Sequence, residues 1–120
     1  MLARVMSDLF RDDRTVGTRL NDFARDEFRL RRKLFESIPP EMMRNETPLS
    51  ELFYIFTLIQ LRDMEALSRR VAEIRAYYLP QPESADRNRI LGELELMGAA
   101  LVYNDFRRKS EAFARAQALL

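Results

Sequence analysis

The side chains that most often carry out catalysis are absent from this sequence of 120 residues, which contains no Cys and no His. Thiol nucleophiles, imidazole bases and zinc sites with the usual nitrogen or sulfur ligands are therefore excluded. Asp, Glu, Lys and Tyr can also act as acids and bases, but nothing in their spacing singles out a pair. We therefore predict no enzyme activity, with no catalytic residue, cofactor or metal.

A group of carboxylates comes closest to a metal-site pattern, and its members are Glu83, Asp86, Glu93 and Glu95. Carboxylate di-metal sites in helical bundles use Glu-x-x-His pairs on facing helices, and this sequence has no His. Glu93 and Glu95 are also two residues apart, so they point to different faces of a helix. We interpret these carboxylates as structural.

The densest basic cluster could in principle grip phosphates, and it consists of Arg29, Arg31, Arg32 and Lys33. The acids that surround it, at spacings where one helical turn brings opposite charges together, are Asp22, Asp26, Glu27 and Glu36. Over the whole chain, 20 Lys and Arg face 19 Asp and Glu, so the net charge of +1 creates no long-range field for nucleic acid or acidic lipid. We predict a solvated, salt-bridged helix face.

Good helix formers dominate the composition, with only three Gly and five Pro, and we predict an all-α protein. One helical pattern covers residues 2–10, and a second runs from Asp22 to Ile38, where Pro39 ends it. Thr47 as a cap and Pro48 as the first helical residue open the next helix, residues 48–61, with Glu51 as an acid in its first turn. We expect this helix to be the most buried.

The remaining helices follow similar start signals. One begins after Asp63 and closes at Leu79-Pro80, and another begins at Ser84 or Asp86. The last begins after Asp105, and we expect it to turn three side chains inward: Phe106, Phe113 and Ala116.

Similar turns return at a nearly constant interval. Leu61-Arg62-Asp63-Met64 and Tyr103-Asn104-Asp105-Phe106 are 42 residues apart, and Leu20-Asn21-Asp22-Phe23 stands 41 residues before the first of them. Such a period is typical of antiparallel helix pairs stacked as a tetratricopeptide-like superhelix, an α-α solenoid. We predict one helical-repeat domain, 1–120, with units 1–38, 47–80 and 84–120. Because the last helix stops where earlier ones approach their prolines, we expect a fragment of a larger protein.

The first helix of each pair commonly lines the concave side of such a stack. On the helix that Pro48 opens, the more polar side carries Ser50, Tyr54 and Thr57. These hydroxyls and one aromatic ring are the candidate ligand-binding residues, against the alternative that they are ordinary half-exposed helix positions.

The stretch from Leu34 to Leu120 resembles the helical-repeat sensor region of the MalT-like, LuxR-type ATP-dependent transcriptional regulators of bacteria. The resemblance is carried by residues 35–41 (FESIPPE), 91–96 (LGELEL), 103–106 (YNDF) and 110–116 (SEAFARA). It implies a regulatory sensor segment that binds an unknown small-molecule inducer or a regulatory protein. DNA would be contacted only through a domain absent from this chain, and no G-x-x-x-x-G-K-[ST] motif is present.

An alternative stays open, in which the chain is a stand-alone helical adaptor for protein–protein interaction or self-association. A homodimer through the exposed ends of the stack is expected from the truncated last helix and from Leu2, Val5, Leu9 and Phe10 at the other end. No apolar run approaches the roughly 20 residues that cross a bilayer, and the N-terminal residues lack a secretory pattern. We therefore expect a cytoplasmic protein with no membrane contact.

Overall fold

The computed structural model describes the backbone of residues 13–120 and the side chains of residues 22–120. These residues form six α-helices and no strand, which confirms the all-helical prediction. The helices are α1 (Asp13–Glu36), α2 (Pro40–Glu46), α3 (Pro48–Gln60), α4 (Met64–Tyr78), α5 (Ala85–Met97) and α6 (Phe106–Leu119), and α5 continues into a π-helical turn, Gly98–Val102. None of these helices is both long and apolar enough to cross a membrane.

Local signals set most of the helix boundaries as predicted. The Asp63 carboxylate accepts a hydrogen bond from the Ala66 N–H at 3.1 Å, and the Ser84 hydroxyl accepts one from the Arg87 N–H at 3.2 Å. Asp105 caps α6 in the same way through the Arg107 N–H at 2.8 Å. Each cap satisfies a backbone donor that the first helical turn leaves without a partner. Thr47 stands at the cap position of α3 but makes no side-chain cap bond.

The first predicted turn is wrong, because α1 runs without a break through Asn21 and Asp22. Gly17 costs roughly 1 kcal/mol in a helix relative to Ala, and Asn and Asp cost less, so three such residues do not break a long helix that packs against another one. The predicted helix over residues 2–10, with Leu2, Val5, Leu9 and Phe10, lies outside the described residues. The short helix α2, which begins at Pro40, was not predicted.

Helix α3 lies at the centre of the molecule and contacts α1, α2, α4 and α5. Its buried apolar residues include Ile55, Leu58 and Ile59, and they join a core completed by Leu67 and Ile74 from α4 and by residues of α5. The prediction that this helix is the most buried is confirmed, since no other described helix buries as many of its residues.

The main contacts join helices that are neighbours in the chain or next but one. The principal axes measure 54 × 35 × 24 Å, and the Cα radius of gyration is 17.2 Å. A compact domain of this length would have a radius of gyration of about 14 Å. The molecule is therefore elongated.

The predicted inward face of α6 is correct only at Ala116. Ala112 and Ala116 are fully buried against α5, whereas Phe106 is 84% exposed and Phe113 is half exposed. The two alanines let α6 approach α5 closely, and a phenylalanine at the same contact would hold the two helices apart. Close packing therefore selects the small side chains and leaves the aromatic ones outside.

Candidate functional site

The predicted ligand-binding residues of α3 lie mostly inside the protein. The Tyr54 ring is buried beside Phe35, and its hydroxyl donates a hydrogen bond to Glu36 Oε1 at 3.0 Å. The buried Thr57 hydroxyl donates to the Phe53 carbonyl oxygen at 2.8 Å. Ser50 is half-buried. Ligand binding by these residues stays a prediction, but Tyr54 and Thr57 already have internal hydrogen-bond partners.

Glu51 is the most buried charged residue among those described, with 1% of its surface exposed. Its carboxylate accepts hydrogen bonds from Arg44 Nε at 3.2 Å and from Arg70 Nε at 3.0 Å. The Arg44 Nη2 atom is buried and lies 3.1 Å from Glu51 Oε1, but it makes no aligned hydrogen bond. The Arg70 guanidinium also lies 4.9 Å from the centre of the Tyr54 ring. This network ties α2, α3 and α4 together.

A second ion network joins the end of α1 to the start of α4. Arg32 lies 2.7 Å from Glu36 Oε1 and 2.9 Å from Asp63 Oδ2. The hydrogen bond from Arg32 is the main reason that the pKa of Glu36 is lowered, and burial opposes it. The pKa of Asp63 is lowered mainly by the Ala66 N–H and then by Arg32. Burial, followed by the bond to Glu36, raises the pKa of Tyr54.

These lowered pKa values predict a loss of stability in acid. A carboxylate whose pKa is lower in the folded state stabilises the protein above its unfolded pKa, and this contribution disappears as the pH falls through the folded pKa. We therefore expect the thermal midpoint to decline as the pH drops below the ordinary glutamate value of 4.5. The variant Glu36→Gln should have a lower midpoint at neutral pH and a shallower decline in acid. Circular dichroism melts from neutral to acid pH measure both, and parallel curves for the two proteins would contradict the assignment to Glu36.

The predicted salt-bridged face of α1 is confirmed. Arg29 pairs with Asp26 at 3.3 Å and Arg31 with Glu27 at 2.7 Å, both within one helical turn. Arg32 likewise pairs with Glu36, as described above. Three of the four basic residues are therefore matched by acids of their own helix, and exposed pairs of this kind contribute little to stability.

The largest exposed apolar feature of α3 is on a face that sequence reasoning overlooked. Leu49 and Phe53 are 42% and 60% exposed, and Leu52 and Phe56 are half-buried beside them. These four residues occupy positions i, i+3, i+4 and i+7, which share one face of a helix. Together with Met97, Arg31, Arg89 and Glu93 they line a groove of about 420 Å³. We call it the Phe53 groove.

The signal for this groove was present in the sequence. Helix α3 is apolar almost all round, so either of two faces could be buried. Polarity alone predicts that the face with Ser50, Tyr54 and Thr57 lies outside. A threonine hydroxyl inside a helix can donate to the carbonyl four residues earlier, which removes most of the cost of burying it. Thr57 does this. Leu49 and Phe53 are left exposed, and Phe56 packs edge-on against Phe28 of α1.

A larger cleft of about 590 Å³ lies between α4 and the connection from α5 to α6. Two of its charged side chains are already engaged, since Arg75 lies 3.1 Å from Glu95 Oε1 and Asp105 caps α6. The Arg108 guanidinium stacks on the Tyr103 ring at 4.6 Å. The cleft therefore offers fewer available contacts than its size suggests.

The carboxylates considered as metal ligands do not gather. Glu95 is buried between Arg75 and Arg115, each at 3.1 Å, and within residues 22–120 no three Asp or Glu side chains form a group that could hold a metal ion.

Comparisons of this chain with protein-family models, with curated proteins and with solved structures found no match.

Proposed function

We propose that this chain is a non-catalytic helical-repeat module that binds an amphipathic helical segment of a protein partner in the Phe53 groove. The observation that carries this proposal is the row of four apolar side chains on α3, two of which leave much of their surface to solvent. Large exposed apolar patches rimmed by polar residues mark interaction sites in soluble proteins. Burial of Leu49 and Phe53 would supply the driving force for binding.

The openness of the groove favours a protein segment over a small molecule. A small-molecule site typically encloses about 70–90% of its ligand, whereas the Phe53 ring stands largely in solvent. A row at positions i, i+3, i+4 and i+7 instead matches the apolar face of another helix laid along it. A helix can cover Leu49 and Phe53, the exposed part of the row, without any change in α3.

The charges at the rim predict the flanks of that partner. Arg31 enters the rim from α1 and Arg89 from α5, with Glu93 beside Arg89. Arg31 is held by Glu27, while Arg89 makes no ion pair among residues 22–120. An acidic residue on the partner could therefore pair with Arg89, and such pairs select the partner and its orientation. We infer an apolar helix with an acidic residue on the flank that faces Arg89.

The contact pattern of the helices supports the proposal of stacked helix pairs. Helix α3 contacts α1 from the preceding pair, its own pair partner α4, and α5 from the following pair. Contacts confined to neighbouring units, in an elongated molecule, are what a solenoid requires. The regulatory sensor segment of a MalT-like regulator and the stand-alone adaptor both use such an array. A phosphate-binding motif and a terminal helix-turn-helix in the same reading frame would decide for the regulator.

The groove can be tested with a designed helical peptide that carries Leu at four positions of one face and Glu on both flanks. Fluorescence anisotropy should show binding, and Phe53→Ala should weaken it by roughly tenfold or more, as expected for a central aromatic anchor. Because Phe53 is exposed, the variant should keep its helical circular dichroism.

The matched controls are a peptide with Lys in place of Glu and the variant Phe113→Ala, which removes a comparably exposed ring on α6. Weak binding of the Lys peptide and unchanged binding by Phe113→Ala would support the groove. Equal affinity of Phe53→Ala and the parent protein would refute it.

A further inference from the structure

Helix α1 has a second apolar face that none of the other described helices covers. Phe23, Leu30 and Leu34 are between 50% and 60% exposed. Two aromatic contacts join α1 to the rest of the protein, Phe28 with Phe56 and Phe35 with Tyr54. Around the helix axis, Phe28 and Phe35 lie about a third of a turn or more from the exposed residues. The exposed residues therefore form a separate stripe, which we call the α1 stripe.

The spacing of the α1 stripe is that of a coiled coil. Leu30 follows Phe23 by seven residues, and Leu34 follows Leu30 by four. Glu27 lies at the seam position between Phe23 and Leu30. In the sequence, the same alternation of three and four residues continues backwards to Leu20 and Val16. Apolar residues at this period define the seam along which two helices pair. With 24 residues, α1 is about 36 Å long, enough for three heptads.

We propose that α1 pairs with α1 of a second copy of this chain, in antiparallel orientation, and that the α1 stripe is the homodimer interface. This interface is distinct from the Phe53 groove and does not depend on the function proposed for that groove.

The charges decide the orientation. In a parallel pair Glu27 would face the partner's Glu27 across the seam, and like charges at such a position are unfavourable. In an antiparallel pair centred between Phe28 and Arg29, Phe23 lies beside the partner's Leu34 and Glu27 beside the partner's Leu30. The Glu27 charge is then balanced by Arg31 of its own helix, which lies 2.7 Å away.

The residues that flank the seam agree with this choice. Asp26 and Lys33 both occupy the flanking position before a seam residue, and both are exposed. In the antiparallel pair Asp26 comes close to the partner's Lys33, and the twofold symmetry repeats this attraction on the other side. Shifting the antiparallel pair by one heptad towards the N terminus would instead bring Asp26 near the partner's Asp26. Charge complementarity thus selects one register.

Light scattering of the whole chain over a hundredfold concentration range tests the interface. The mass should rise towards that of a dimer, and Leu30→Lys should abolish this rise, while Phe113→Lys, an equally drastic change on α6, should not. Both substitutions are at exposed positions, and circular dichroism checks that both variants keep their helices. A parent protein that stays monomeric, or a Leu30→Lys variant that still dimerises, would overturn the proposal. So would loss of the dimer in Phe113→Lys.

Orientation can be tested directly because the chain has no cysteine of its own. Under oxidising conditions a mixture of Phe23→Cys and Leu34→Cys should give a disulfide-linked heterodimer, while neither variant alone should cross-link. Asp26→Lys should weaken the dimer, and adding Lys33→Asp in the same chain should restore it. Efficient cross-linking of each variant with itself would mean a parallel pair and would overturn the antiparallel arrangement.

Discussion

Replacing Glu51 with Ala should lower the free energy of unfolding by about 3 to 5 kcal/mol, because it leaves two buried guanidinium groups without their carboxylate. Arg44 and Arg70 reach Glu51 from α2 and α4, and their side chains are only 11% and 13% exposed. A domain of this size is stable by about 5 to 15 kcal/mol in total, so the loss should be visible as a large drop in the urea midpoint.

Two variants show whether charge is the cause. Glu51→Gln keeps the shape of the side chain and removes its charge, so it should retain part of the hydrogen bonding and still destabilise the protein. Glu95→Ala removes the other carboxylate that bridges two arginines, but Arg75 and Arg115 are partly exposed and can be solvated when it is lost. We expect its effect to be clearly smaller. Equal urea midpoints for Glu51→Ala and Glu95→Ala would contradict a special cost of burial at Glu51.

Glu51 also shows where sequence reasoning stops. An acid in the first turn of a helix is favourable because it lies at the positive end of the helix dipole, and the sequence predicts nothing more for Glu51. In the structure its partners are seven and 19 residues away in the chain. No local spacing indicates such partners, because they are brought together only when α2 and α4 pack on α3.

The helix boundaries could be predicted because their causes are local. Asp63, Ser84 and Asp105 cap the backbone two or three residues ahead of them, and Pro48 fits only the first turn. The prediction of a turn at Asn21 was wrong for a related reason: a polar residue followed by Asp looks like a helix cap in the sequence even when it lies inside a long helix. Only the packing of α1 on α3 distinguishes the two cases.

The faces of the helices were harder to predict than their ends. Which side of a helix is buried depends on what it meets, and α3 and α6 each offer two plausible sides. On α6 the contact with α5 selects alanines over phenylalanines, and on α3 the carboxylate of Glu36 accepts a hydrogen bond from the buried Tyr54. Hydrophobicity alone ranks these alternatives in the opposite order.

A pair of substitutions on α3 tests the assignment of its faces, and with it the origin of the Phe53 groove. Leu58 is completely buried in the core, so Leu58→Ala should lower the free energy of unfolding by about 2 to 5 kcal/mol through lost burial and a residual cavity. Phe53→Ala removes a larger side chain from the same helix, yet it should change stability by no more than about 0.5 kcal/mol. Urea unfolding of both variants gives the comparison.

Which of the two variants loses more stability is informative, because the size of the apolar side chain alone predicts a larger loss in Phe53→Ala than in Leu58→Ala. If stability followed the apolar area of the residue, Phe53→Ala would be the more damaging change, since phenylalanine is larger than leucine. A small effect at Phe53 would mean that its ring contributes little to the folded chain, and that α3 retains an apolar surface which folding does not use. A loss at Phe53 as large as that at Leu58 would mean that the ring is part of the core, and the groove would then lose its central binding residue.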